Sequence, residues 1–104
     1  MDNKNRLNLN YTYILRCADG TLYTGWTNDF IKRMKAHQKG TGAHYTRVFI
    51  PEKVEFIQVF ETKSEAMRKE AEIKKMTRAQ KEALFAEQRE FTLMYLDRHP
   101  FQFE

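Results

Sequence analysis

The sequence predicts an α/β fold, a single domain built on a three-stranded, mostly antiparallel sheet flanked by helices. Three observations lead there. Residues 11–17 and 21–27 are rich in aromatic and β-branched types, and Ala18-Asp19-Gly20 between them reads as a hairpin turn. A third such segment, 54–61, follows Pro51. Elsewhere apolar residues recur at helical spacing, each run preceded by a capping residue. At 104 residues the chain is long enough for one domain.

The polar start, residues 1–9, leads into the first strand, and no apolar run follows it that would make a secretory signal. The hairpin has two readings. A two-residue Asp19-Gly20 loop pairs Arg16 with Tyr23 and puts Tyr13 and Tyr23 on opposite faces of the sheet. A three-residue loop with left-handed Gly20 pairs Leu15 with Tyr23, and the two tyrosines then share a face. Asn28 is suited to cap a first helix running to Lys39, with Phe30, Ile31 and Met34 as its apolar stripe. Gly40-Thr41-Gly42 ends it.

The third strand carries apolar residues on both faces (Val54, Phe56 and Phe60; Ile57 and Val59), which predicts a central position in the sheet. Thr62 with Glu65 forms a capping box for a second helix ending near Met76, and Thr77 with Gln80 starts a third. The domain proper is taken as residues 10–86. Residues 87–104 are an aromatic-rich extension that either packs on the domain or offers a homodimer or partner surface.

Composition narrows the function. With 41% hydrophobic and 13% aromatic residues the chain can build a real core. It has no apolar run of membrane-spanning length, so no membrane partner is expected. Cys17 is the single cysteine, which excludes an internal disulfide and suits a reducing cytoplasm. The net charge is +4, and its distribution matters more. Residues 30–51 contain no acid but hold Lys32, Arg33, Lys35, Lys39 and Arg47, together with His37 and His44. Clustered cations of this kind attract polyanions.

Glu70 is the most informative single residue. It falls between Ala66, Met67 and Ile73, the apolar stripe of the second helix. A carboxylate facing a core is costly unless it is paired with a cation or bound to a metal. Arg33 and His37 are four apart and share a helix face. A guanidinium donates parallel hydrogen bonds to phosphate and stays charged. Taken alone, His37 also reads as a partly buried histidine bonded to a carbonyl, and Tyr13 and Tyr23 as packing residues.

Together, Tyr13-x9-Tyr23-Thr24-Gly25-x7-Arg33-x3-His37 and the later Glu70 resemble the GIY-YIG nuclease superfamily, especially its small stand-alone bacterial members. The resemblance covers residues 10–86 and includes the basic loop Gly40, Gly42, His44, Tyr45, Thr46 and Arg47. Two departures stand out: Tyr11-Thr12-Tyr13 replaces Gly-Ile-Tyr, and Tyr23-Thr24-Gly25 replaces Tyr-Ile-Gly. Near Glu82 many members carry an amide.

The resemblance implies a divalent-metal-dependent endonuclease acting on nucleic acid, with DNA expected ahead of RNA and repair or processing as its setting. It implies Glu70 as the single protein ligand of Mg²⁺ or Mn²⁺, and Tyr13 and Tyr23 as the groups that position and activate water. Arg33 would stabilise phosphoryl charge, and His37 would accept a proton or contact phosphate. Lys32, Lys35, Lys39 and the basic loop would hold the backbone. The competing expectation is a catalytically weak or inactive nucleic-acid-binding module. Binding alone needs cations but no inward-facing carboxylate, so Glu70 with two tyrosines favours the enzyme.

Overall fold

The computed structural model describes residues 9–40 and 50–103. Their order is β1 (Asn10–Cys17), β2 (Leu22–Thr27), α1 (Phe30–Gln38), β3 (Pro51–Phe60), α2 (Lys63–Lys74) and α3 (Arg78–Arg98). The three strands form one antiparallel sheet in the order β2-β1-β3.

The hairpin adopts the three-residue loop. Leu15 pairs with Tyr23. Cys17 N–H donates to the Thr21 carbonyl at 2.9 Å, and Gly20 takes a φ of 89°, where only glycine sits without strain. Asp19 locks the turn by accepting from the Thr21 N–H and hydroxyl at 3.0 and 2.7 Å. Because side chains alternate, one face of the sheet then carries Tyr11, Tyr13, Leu15, Tyr23, Gly25 and Ile57.

Helices cover both faces. On the tyrosine face, Phe30 and Met34 of α1 join Tyr13, Leu15, Val54 and Ile57 in one buried cluster. On the other face, Ile73 of α2 and Leu84 and Phe85 of α3 close over Ile14 and Phe56. Thr12 lies on that second face, fully buried, and donates to the Ala66 carbonyl at 2.7 Å. A threonine in place of the motif's isoleucine therefore pins α2 to the central strand.

The sheet order corrects one expectation: β1, not β3, is central. β3 is apolar on both faces because α3 crosses its outer edge from one layer to the other. Phe85 belongs to the second cluster, while Phe91, Tyr95 and Leu96 pack against the first. At the crossing, Thr92 accepts from the outward Ile57 N–H at 3.3 Å. The both-faces pattern reports coverage, and a helix supplies here the coverage that neighbouring strands supply elsewhere.

Smaller differences concern ends. Asp29, not Asn28, caps α1 and accepts from Lys32 N–H at 3.2 Å. Both capping boxes, Thr62 with Glu65 and Thr77 with Gln80, are formed. α3 runs unbroken to Arg98. The aromatic residues beyond it also turn inward: Phe101 and Phe103 pack against the first cluster, whereas Leu93 and Met94 stay exposed. A β-bulge in β3 between the partners of Ile14 and Leu15 turns Glu55 toward Arg16, with which it forms a short ion pair.

Thr92→Val keeps the shape of that side chain but removes the acceptor from a buried N–H. Urea unfolding is expected to show a loss of about 1–3 kcal/mol, with Thr92→Ser retaining most of the stability.

Candidate active site

Four elements bring their motif residues to the open edge of β2. β1 supplies Tyr13, β2 supplies Tyr23 and Gly25, α1 supplies Arg33 and His37, and α2 supplies Glu70. Tyr13 is fully buried, and its hydroxyl lies 2.7 Å from His37 Nε2. The His37 ring also meets Tyr23 edge-on, with centroids 5.2 Å apart, and the two tyrosine rings are 6.3 Å apart.

Gly25 explains why this packing is possible. It is the direct cross-strand partner of Tyr13. A Cβ on Gly25 would stand 2.6 Å from the Tyr13 hydroxyl oxygen and 3.1 Å from Cε2 of Tyr23. The phenol of Tyr13 lies across bare backbone, and any side chain at position 25 would occupy its place.

Burial sets the protonation states. It pushes the Tyr13 phenol well above its ordinary range, helped by Tyr23 and Glu70, while Arg33 opposes the rise by its charge and a hydrogen bond. Tyr23 is also pushed up by burial, against which the cations of Lys74 and Arg33 pull it down. His37 is pushed down to about 4 by burial and by Arg33. At neutral pH the Tyr13–His37 contact thus joins a neutral phenol and a neutral imidazole.

Glu70 differs from its sequence reading. Met67 is 42% exposed, so the apolar stripe of α2 narrows to Ala66 and Ile73. Residue 67 lies about 100° round the helix from residue 66, too far to share its face. Glu70 sits on the flank, its side chain 21% exposed, and Lys74 Nζ lies 3.3 Å from its carboxylate. Sequence reading missed Lys74, although its i+4 spacing from Glu70 was visible. The partly exposed carboxylate presents hard oxygen, the donor type that a divalent cation of the hard class takes. Among the described residues no group of three or more His, Cys, Asp or Glu converges.

The remaining candidates lie elsewhere. Lys32, Lys35 and Lys39 line a shallow groove with Asp29, Ile31 and Ala36 on the outer side of α1, away from the buried face of Phe30, Met34 and His37. Gly40 ends the helix at a φ of 77°, its N–H donating to the His37 carbonyl at 3.0 Å. Gly42, His44, Tyr45, Thr46 and Arg47 fall outside the described residues. Glu82 is no part of the tyrosine cluster; it pairs with Arg16 and Arg78 at 3.3 and 3.4 Å on the opposite face.

A small α/β domain with two tyrosines on one sheet face, an arginine and histidine on the next helix, and a glutamate on the helix after β3 defines a class of nuclease fold. The GIY-YIG catalytic domain matches residues 9–83, and the chain belongs to that family. Its relatives include a UPF0213 protein of Clostridium perfringens, 55% identical over 73 residues, which make up 70% of this chain and 78% of that one. A UPF0213 protein of Halobacterium salinarum is 48% identical over 77 residues, 74% of this chain and 100% of its own length. The solution structure of the UPF0213 protein of Bacillus halodurans is similar, with a TM-score of 0.50 and 45% identity, covering 75% of this chain and 83% of that one. A second solution structure, of a protein from E. faecalis, gives a TM-score of 0.53 at 38% identity, covering 89% and 93%. No helix among the described residues is long and apolar enough to cross a membrane.

Two measurements check this geometry. Gly25→Ala should displace the Tyr13 ring and destabilise the fold by about 1–3 kcal/mol, read from the unfolding midpoint. For His37, the unfolded state holds more protons than the folded state between pH 6.5 and about 4. Its contribution to stability is therefore complete above pH 6.5 and falls as pH drops through that window, by at most about 3 kcal/mol. His37→Gln should flatten that part of the stability profile.

Proposed function

We propose that the protein is a divalent-metal-dependent endonuclease that hydrolyses phosphodiester bonds of DNA. The observation that carries the reading is the meeting of Tyr13, Tyr23, Arg33, His37 and Glu70 around a glycine that admits no side chain. Family membership supports the same class.

The chain's own groups divide the work as follows. Tyr13, held high by burial, does not ionise by itself near neutrality. Its hydroxyl is bonded to a neutral imidazole. With the hydrogen of His37 on Nδ1, Nε2 accepts from Tyr13. The phenol oxygen then takes a proton from an attacking water as it passes its own to Nε2. Tyr23 is less enclosed and flanked by cations, which suits it to orienting that water. Arg33 faces both phenols electrostatically and would meet the charge that builds on the phosphoryl oxygens. Glu70 would hold the Mg²⁺ or Mn²⁺ ion, which when bound supplies charge stabilisation at the leaving oxygen. Lys74 would then exchange its partner from the carboxylate to the incoming phosphate.

The Lys74–Glu70 pair favours a second reading, a nucleic-acid-binding module in which Glu70 only tunes local charge. Glu70→Gln separates the two. In the endonuclease reading, Mg²⁺- or Mn²⁺-dependent nicking of supercoiled plasmid falls by roughly a thousandfold. Stability should change by no more than about 0.5 kcal/mol, because an i,i+4 pair on a helix flank with an exposed lysine contributes little. Nicking at the wild-type rate by this variant would sink the metal-ligand role, and no nicking by the wild type with either ion would leave the binding module.

A further inference from the structure

Trp26 is the one tryptophan of the chain, and neither the fold nor the catalytic cluster uses it. It is half-buried and belongs to neither hydrophobic cluster. Its place is unusual. β2 is an edge strand, and Trp26 follows Gly25, over which Tyr13 lies. Alternation sends Trp26 to the opposite face from the tyrosines, toward the layer that delivers Glu70. It pairs across the sheet with Thr12, which is bonded to Ala66 in the first turns of α2. Glu70 lies seven residues beyond Lys63, or about 10 Å along the helix.

Lys63, the first residue of α2, holds its ammonium 5.5 Å from the centre of the indole. It makes no ion pair among the described residues. A cation at a helix N-terminus opposes the helix dipole, so helix stability does not account for it. The nearest acid on the helix, Glu65, is engaged with Thr62 in the capping box. An exposed cation over an indole face gains little in water. The pair therefore exchanges at low cost for a ligand that brings both a π-face and an anion.

We propose that Trp26 and Lys63 form a subsite for a nucleotide flanking the cut, whose unpaired base stacks on the indole while Lys63 moves to its phosphate. The inference rests on the nucleic-acid reading of the tyrosine site and deepens it. A base reaches the indole only when it is out of a duplex, so the preferred substrate carries a single-stranded segment beside the scissile phosphate. Stacking on an aromatic platform tolerates any base, so the subsite selects strandedness rather than sequence.

Because Trp26 is the sole tryptophan, its emission reports the subsite directly. The full chain, with EDTA present to prevent cutting, is titrated with a single-stranded deoxyoligonucleotide, a blunt duplex of equal length, and inorganic polyphosphate. A fluorophore on each oligonucleotide reports binding independently. The single strand should quench Trp26 in step with binding; duplex and polyphosphate should bind without quenching it. Trp26→Leu should weaken single-strand binding roughly five- to hundredfold and leave duplex binding unchanged, with Trp26→Phe restoring most of it. Lys63→Met should lower the salt slope for the single strand by about 0.7. A single strand that binds while Trp26 emission stays constant, or that binds Trp26→Leu as tightly as the wild type, overturns the subsite and leaves the endonuclease reading standing. If no nucleic acid binds the wild type, both fall.

Discussion

The phenol of Tyr13 lies across the backbone of Gly25 with its hydroxyl tied to His37 at 2.7 Å, and the arrangement of the site follows from that contact. Burying a hydroxyl without a partner is expensive, so Tyr13 can sit at the core only where another element delivers an acceptor. α1 delivers it, and the helix is set by Phe30 and Met34 against the same face. The bare Gly25 Cα in turn makes room for that phenol beside β2, an edge strand among the described residues, where groups from both layers of the domain meet. Had β2 been covered by a further strand, α2 and α1 would be on opposite sides of a closed sheet.

The two edges of the sheet are treated differently, and the difference bears on function. The β3 edge is sealed by α3, with Thr92 satisfying the outward Ile57 N–H. The sealing helix extends past the family match, which ends at residue 83. Tyr95 from this extension packs on Tyr11 and Phe30, with centroids 5.8 and 5.7 Å away. Tyr11 is the residue that replaces the first glycine of the family motif, so the larger side chain and the added helix complement each other. The motif residues gather at the other edge, that of β2.

Charge is likewise sorted by layer. Arg33 acts on the buried tyrosine–histidine pair and helps keep His37 neutral. Lys32, Lys35 and Lys39 occupy the outer side of the same helix and are too far round it to share that task. Arg16, Glu55, Glu82 and Arg78 form a separate network that ties the bulged β3 and α3 to the hairpin. Among the described residues, the acid-free stretch thus resolves into one cation at the site and three lysines that face solvent.

Local chemistry made much of this legible in the sequence. Aromatic and β-branched content marked the strands, capping boxes marked the starts of α2 and α3, and Gly20 in the last loop position suited one of two open registers, the one that unites Tyr13 with Tyr23. These signals act over a few residues, and spacing alone carries them. Other features depended on partners far along the chain. The central position of β1 and the flank setting of Glu70 follow from how the strands pair and the helices lie on the sheet. So does the neutrality of His37, which comes first from burial, with Arg33 one helical turn away adding to it. An apolar pattern states that a face is covered but not by what, and a pKa depends on surroundings that exist only once the layers have closed.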